Sequence, residues 1–219
     1  MTERRENSIF FDAVLFDLDG TLIDTVPMIT HCFQEVFARF GGVDLQETDV
    51  HALFGPGESV IFARTFGSRW HEVLAAYLEC YRRGHQLLTV PPDVRQFVEQ
   101  LRGQGIKTAI VTNKERDTTT MTLEHFGLVS SFDLVVTAQD IPAPKPAPDG
   151  IWKVLRQFNV SRDRAVLVGD TLNDVGAAKA AGIAVIQATW FLSHPPASRS
   201  WPTAAVLDDL KRHLGWPMD

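Results

Sequence analysis

The chain of 219 residues is long enough to bury a sizeable core, either as one domain of ordinary size or as a domain carrying a smaller insertion. Hydrophobic residues make up 45% and charged residues 22%, which excludes an intrinsically disordered chain. A formal net charge of -6 gives no electrostatic footprint for nucleic acid or an anionic membrane, and no apolar run approaches the roughly 20 residues of a membrane-spanning helix.

The amino-terminal MTERRENS is polar, carries charges of both signs and does not read as a signal peptide. The first strand is expected at AVLF, residues 13–16. From Thr25 to Pro91 no strand-like run occurs and the period is helical. Ile29, Phe33, Val36, Phe37 and Phe40 form one apolar face, stopped by Gly41 and Gly42, and Val73, Leu74, Tyr77, Leu78 and Tyr81 form another. This stretch is too long for a crossover and predicts a helical subdomain, residues 26–90, that leaves the core just after the first strand and can cover its end.

From Pro92 the pattern alternates regularly. Helices are expected over residues 92–104, 115–126, 148–158 and 172–181, and strands at TAIVT (108–112), DLVVTA (133–138), AVLVG (165–169) and IAVIQAT (183–189). Five short β-branched runs separated by helices predict an α/β fold, a Rossmann-like parallel sheet with helices on both faces, built from residues 10–25 and 91–219.

Cys32 and Cys80 are too few for a disulfide framework and lack metal-ligand spacing, so buried reduced thiols in a cytoplasmic protein are expected. The seven histidines, His31, His51, His71, His85, His125, His194 and His213, also lack ligand spacing, and the five tryptophans read as packing residues.

Ligands of an open parallel sheet bind beyond the carboxyl ends of its strands. There the first run is followed by Asp17, Asp19, Gly20 and Thr21, the second by Thr112 and Asn113, the third leads to Lys145, and the fourth ends at Gly169, Asp170 and then Asp174. Asp17 and Asp19 alone could be a solvated turn, Thr112 and Asn113 a helix cap, Lys145 a solvated loop charge and Asp174 a first-turn acid. Together, however, four carboxylates and one lysine call for a hard divalent cation, of which Mg²⁺ suits a site completed by water and phosphate. Thr112, Lys145 and the amides of the turn from Leu18 to Gly20 suit phosphate oxygens, so phosphoryl transfer is the chemistry implied.

DLDGTLIDT, VTNK, KPAPD and VGDTLND, in this order and spacing from Val14 to Thr189, resemble the motifs of the haloacid dehalogenase superfamily, in its phosphatase branch with a helical cap. The resemblance implies that Asp17 is the nucleophile and a metal contact. Asp19 is then the general acid and base, and its carbonyl is a metal ligand. Thr112 and Asn113 hold the phosphoryl oxygens, Lys145 orients Asp17, Asp170 binds the metal, and Asp174 is a ligand or a partner of one. An acid at Asp19 suits a leaving alkoxide and is not needed by the haloalkanoate dehalogenases.

Between Val26 and Pro91 there is no lysine, which argues against the phosphonoacetaldehyde hydrolase branch with its cap lysine. The cations there are Arg39, Arg64, Arg69, Arg82 and Arg83. LFGPGES (53–59) resembles the specificity loop of such caps, so Gly55, Pro56 and Gly57, with Arg64, are candidates to meet the substrate. The expected function is a Mg²⁺-dependent phosphatase for a small phosphorylated metabolite, resembling the phosphoglycolate phosphatase group, acting as a monomer or homodimer. A β-phosphoglucomutase-like phosphomutase and a phospho-acceptor signalling module are the alternatives.

Overall fold

The structure is a computed structural model that describes residues 10–88, 92–192 and 201–216. The expected boundary between residues 90 and 91, His194 and the polar MTERRENS segment lie outside them. In chain order the elements are β1 (Ala13–Phe16), α1 (Val26–Gly41), α2 (Glu47–Leu53), α3 (Glu58–Phe66), α4 (Trp70–Gly84), α5 (Pro92–Gly103), β2 (Lys107–Val111), α6 (Arg116–His125), β3 (Leu134–Val136), α7 (Asp149–Phe158), β4 (Ala165–Gly169), α8 (Leu172–Ala181), β5 (Ala184–Ala188), β6 (Thr203–Ala204) and α9 (Leu207–Leu214).

The strands form one parallel sheet in the order β3-β2-β1-β4-β5-β6. The chain works outward from β1 to β3, then returns to the other side of β1 at β4. The carboxyl end of β1 therefore lies at the reversal of strand order, where helices diverge and leave a crevice. β6 was not expected; two residues are too few to carry an alternation.

All of β1 is buried, as a central strand covered on both faces must be. Its period of two sends Val14 and Phe16 into a core shared with Phe97 and Leu101 of α5, Leu123 of α6 and Leu210 of α9. Ala13 and Leu15 face a second core with Ile151 and Val154 of α7 and Val175 and Ala178 of α8. Trp190 and Trp216 pack against the first core, whereas Trp152 stays exposed.

The helices α1 to α4 make a helical cap with a core of its own. Phe33 meets Phe62 and Tyr77 at ring centroid distances of 5.3 and 5.2 Å, and Val36, Val50, Ile61 and Val73 fill around them. Cys32 of α1 and Cys80 of α4 are joined in a disulfide across this core, with Cα atoms 5.7 Å apart. This corrects the expectation of reduced thiols: the two helical faces meet, which a separation of 48 residues in the sequence does not reveal. The argument from free thiols to a reducing compartment falls with it. Among the described residues no helix is long and apolar enough to cross a membrane.

Candidate active site

β1 delivers Asp17 to the sheet edge, and its amide still pairs with the Val168 carbonyl of β4 at 2.8 Å. The chain then turns through Gly20, whose φ of 74° lies in the left-handed region, and a Cβ there would stand 2.6 Å from Asp170 Oδ2. Glycine is thus required on both counts. The turn brings Thr21 back so that its hydroxyl donates to Asp170 Oδ1 at 2.9 Å.

Carboxylate oxygens of Asp17, Asp170 and Asp174 lie within 4.8 Å of one another. The nearest cation is Lys145, buried, with Nζ 2.9 Å from Asp17 Oδ1 and 2.5 Å from Asp174 Oδ1. Burial is the largest influence on Asp17 and, opposed by Lys145 and reinforced by Asp174 and Asp170, pushes its carboxyl up to about 8. Burial and the Asp174 charge likewise push Asp170 up to about 7. Burial works against the Lys145 charge, yet Asp17 and Asp174 outweigh it and hold the ammonium above its usual range. Clustered, desolvated, acceptor-only oxygens with one ammonium between them fit a hard divalent cation.

Asp174 is fully buried and already engaged. Its Oδ2 accepts from the amide and hydroxyl of Thr171 at 3.0 and 2.5 Å, closing the first turn of α8, while its Oδ1 takes the Lys145 ammonium. It therefore caps the helix and anchors Lys145 as well as bordering the cluster.

Thr112, just past β2, is buried beside the cleft with its side chain lining it. Asn113, expected beside the phosphoryl oxygens, also lines the cleft, and its side chain is engaged with the Lys145 main chain. Its Nδ2 donates to the Lys145 carbonyl at 2.9 Å and its Oδ1 accepts the Lys145 amide at 2.8 Å. Both ends of the amide are committed to fixing Lys145. The turn amides differ from expectation too: that of Gly20 donates to the Ile23 carbonyl at 2.9 Å, and that of Leu18 to Asp17 Oδ1 at 2.7 Å.

Sequence reasoning missed Lys114. Its ammonium, buried at the cap junction, donates to both carboxylate oxygens of Asp19 at 3.0 Å and lies 4.6 Å from the Tyr81 ring centroid. Burial opposes its charge, but Asp19, Tyr81 and Glu58 overcome it and hold the ammonium above its usual range. The available signal was its position two residues beyond Thr112, at the edge where the carboxylates gather. Thr25 donates its hydroxyl to the same Asp19.

The cap closes over this edge and leaves a cleft of about 850 Å³. Gly55 and Pro56 line it; Gly57, just before α3, is not among the lining residues, and a side chain there would collide with Glu115. Arg64 is exposed on α3 and is not among the lining residues, so the structure separates it from the site. Glu58, within the LFGPGES loop, lines the cleft, and so does His51, which was not singled out from the sequence. The loop is fastened to the core by Ser59, whose amide donates to Glu115 Oε1 at 2.9 Å, and by Thr118, whose hydroxyl donates to Glu58 Oε1 at 2.8 Å.

Comparison with known proteins agrees with this geometry. The family model described as haloacid dehalogenase-like hydrolase matches residues 14–188. Phosphoglycolate phosphatase 1 of Pseudomonas aeruginosa is 32% identical over 90% of this chain and 76% of its own length. Pyrophosphatase PpaX of Bacillus mycoides is 30% identical over 91% of this chain and 93% of its own. Among solved structures, CbbY from Rhodobacter sphaeroides in complex with phosphate superposes with a TM-score of 0.76 over 89% of this chain and 93% of its own, at 23% identity.

Proposed function

The chain belongs to the haloacid dehalogenase-like hydrolases and is a phosphoric monoester hydrolase of that family, and we propose that it is Mg²⁺-dependent and forms an aspartyl-phosphate on Asp17. The observation that carries this reading is the placement of Asp17 at the reversal of strand order, between Lys145 and the Asp170 carboxylate, facing the cleft. Residues 26–90 serve as the cap and residues 10–25 with 91–219 as the core.

In the first step an Asp17 carboxylate oxygen bonds to phosphorus as the bond from phosphorus to the alcohol oxygen breaks. Asp19 gives its proton to that oxygen, and the alcohol leaves. Asp19, now the base, takes a proton from water, whose oxygen attacks phosphorus and releases inorganic phosphate and Asp17. Lys145 holds Asp17 in line, the Leu18 amide donates to the Asp17 carboxylate, and Thr112 borders the transferred oxygens. Asp17, Asp170 and the Asp19 carbonyl would hold Mg²⁺, with Asp174 behind them. When bound, the ion neutralises the charge of the carboxylates and of the phosphoryl oxygens.

The relatives' names make phosphoglycolate and pyrophosphate the first compounds to try on this small-metabolite enzyme. The test is phosphate release from a panel of monoesters with Mg²⁺ and again with EDTA. Metal-dependent release supports the reading. Release that EDTA leaves unchanged contradicts the metal, and retention of the phosphoryl group on a second sugar site would mark a mutase.

A further inference from the structure

The cap half of the cleft has its own chemistry. It contributes apolar walls, chiefly Ile29, Phe33, Phe54 and Ile61, and the polar side chains of Glu47, His51, Glu58 and Tyr77, with no lysine or arginine among them. All five cap arginines are exposed and stand outside the cleft; Arg69, Arg82 and Arg83 are paired with Glu72, Glu79 and Glu35. His51 Nε2 stands 3.7 Å from Glu47 Oε1. The two lysines of the cleft are occupied as well, Lys145 by Asp17 and Asp174, and Lys114 by Asp19 with Glu58 near it. Glu58 accepts from the Thr118 hydroxyl and the Glu115 amide, and it brings no positive charge to the cleft.

One polar atom there lacks a partner. Tyr77 packs its ring against Phe33 and Phe62 and is among the residues lining the cleft, and its buried hydroxyl makes no hydrogen bond to any described residue. A buried donor left unmade is costly, so its placement is explained by an acceptor that arrives with the substrate.

Resting on the phosphatase reading above, the geometry points to a substrate whose alcohol half is uncharged, ring-sized and bears a hydrogen-bond acceptor for Tyr77, rather than one carrying a second anion. Phosphoglycolate and pyrophosphate each present a further anionic group to the cap half, where no unpaired lysine or arginine among the described residues meets it. A cleft of about 850 Å³ also leaves room that such small compounds do not fill. A hexose or an acceptor-bearing aromatic alcohol lays an apolar face toward Phe54, the exposed aromatic of the lining, and uses the Tyr77 hydroxyl.

The experiment compares kcat/KM of the full chain with Mg²⁺ for a hexose monophosphate, 4-nitrophenyl phosphate, phosphoglycolate and pyrophosphate, in the wild type and in Tyr77→Phe. At least one uncharged ester is expected to exceed both anionic compounds by about 10-fold or more, as loss of a charge-pairing partner implies. Tyr77→Phe, which keeps the ring packing, is expected to lower kcat/KM for the favoured ester about fivefold. Preference for phosphoglycolate or pyrophosphate overturns the inference and leaves the phosphatase reading standing. An unchanged kcat/KM in Tyr77→Phe overturns the assigned hydrogen bond. If no compound is hydrolysed, the phosphatase reading and the inference fall together.

Discussion

Lys114 binds Asp19 through both carboxylate oxygens at 3.0 Å while its ammonium lies against the Tyr81 ring of the cap. The residue proposed to move the proton is thus held from the core by a lysine whose other neighbour belongs to the cap. Lys114→Met removes that hold and leaves the phosphoryl site untouched. Turnover, kcat, is expected to drop about 100-fold, of the order that general acid–base catalysis supplies, with little change in KM. Steady-state kinetics of the variant against wild type check it; an unaltered kcat would remove Lys114 from the proton-transfer arrangement.

Asn113 fixes the main chain of Lys145 from both sides, so its contribution is geometric. In Asn113→Ala the ammonium loses its frame, and kcat is expected to fall about 10- to 100-fold. Circular dichroism and thermal melting should show the fold retained. A variant as active as wild type would mean that Asp17 and Asp174 suffice to place the lysine.

Glu58 provides a pH test of the cap junction. Burial, opposed chiefly by Lys114, holds its carboxyl above the ordinary value of 4.5. The folded state therefore keeps a proton that the unfolded chain has already lost. The stability this contributes is complete below 4.5 and disappears as pH rises through the raised folded value. Glu58→Gln carries no such titration, so its Tm relative to wild type is expected to be higher at about pH 8 than at about pH 5. A difference that is constant or reversed contradicts the assignment.

The disulfide between Cys32 and Cys80 closes a loop of 48 residues within the cap. Cys32→Ala with Cys80→Ala is expected to cost about 2–4 kcal/mol of stability, mainly through the unfolded chain. Denaturant unfolding of the two proteins, with and without reductant, measures it. If reductant does not move the wild-type midpoint, the bond contributes nothing in solution.

What the sequence made legible follows from which signals are local. The runs at Ala13–Phe16 and Ala165–Gly169 are buried on both faces, so they read as unbroken apolar stretches, and both strands begin and end where the runs do. Asp17, Asp170, Asp174 and Lys145 could be gathered because strand ends share one edge, and the structure brings them together. Relations that exist only between distant segments were not legible. The cysteine pairing needed α1 and α4 to meet, and the engagement of Asn113 with Lys145 needed two loops to meet. Arg64 shows the converse: a helical position fixes spacing, while the direction it faces depends on how α3 docks. Lys114 stood inside a recognised motif, and only its contact with Asp19 gives it a role.

The most direct measurement of the central claim is rapid acid quench during turnover of a hydrolysed monoester with Mg²⁺, followed by mass spectrometry of the peptide that contains Asp17. The account predicts a phosphorylated Asp17 that forms with the first turnover, vanishes as substrate is exhausted, and is absent in an inactive Asp17→Asn variant. Steady turnover with no phosphate on that peptide, or Asp17→Asn activity above a few per cent of wild type, would contradict it.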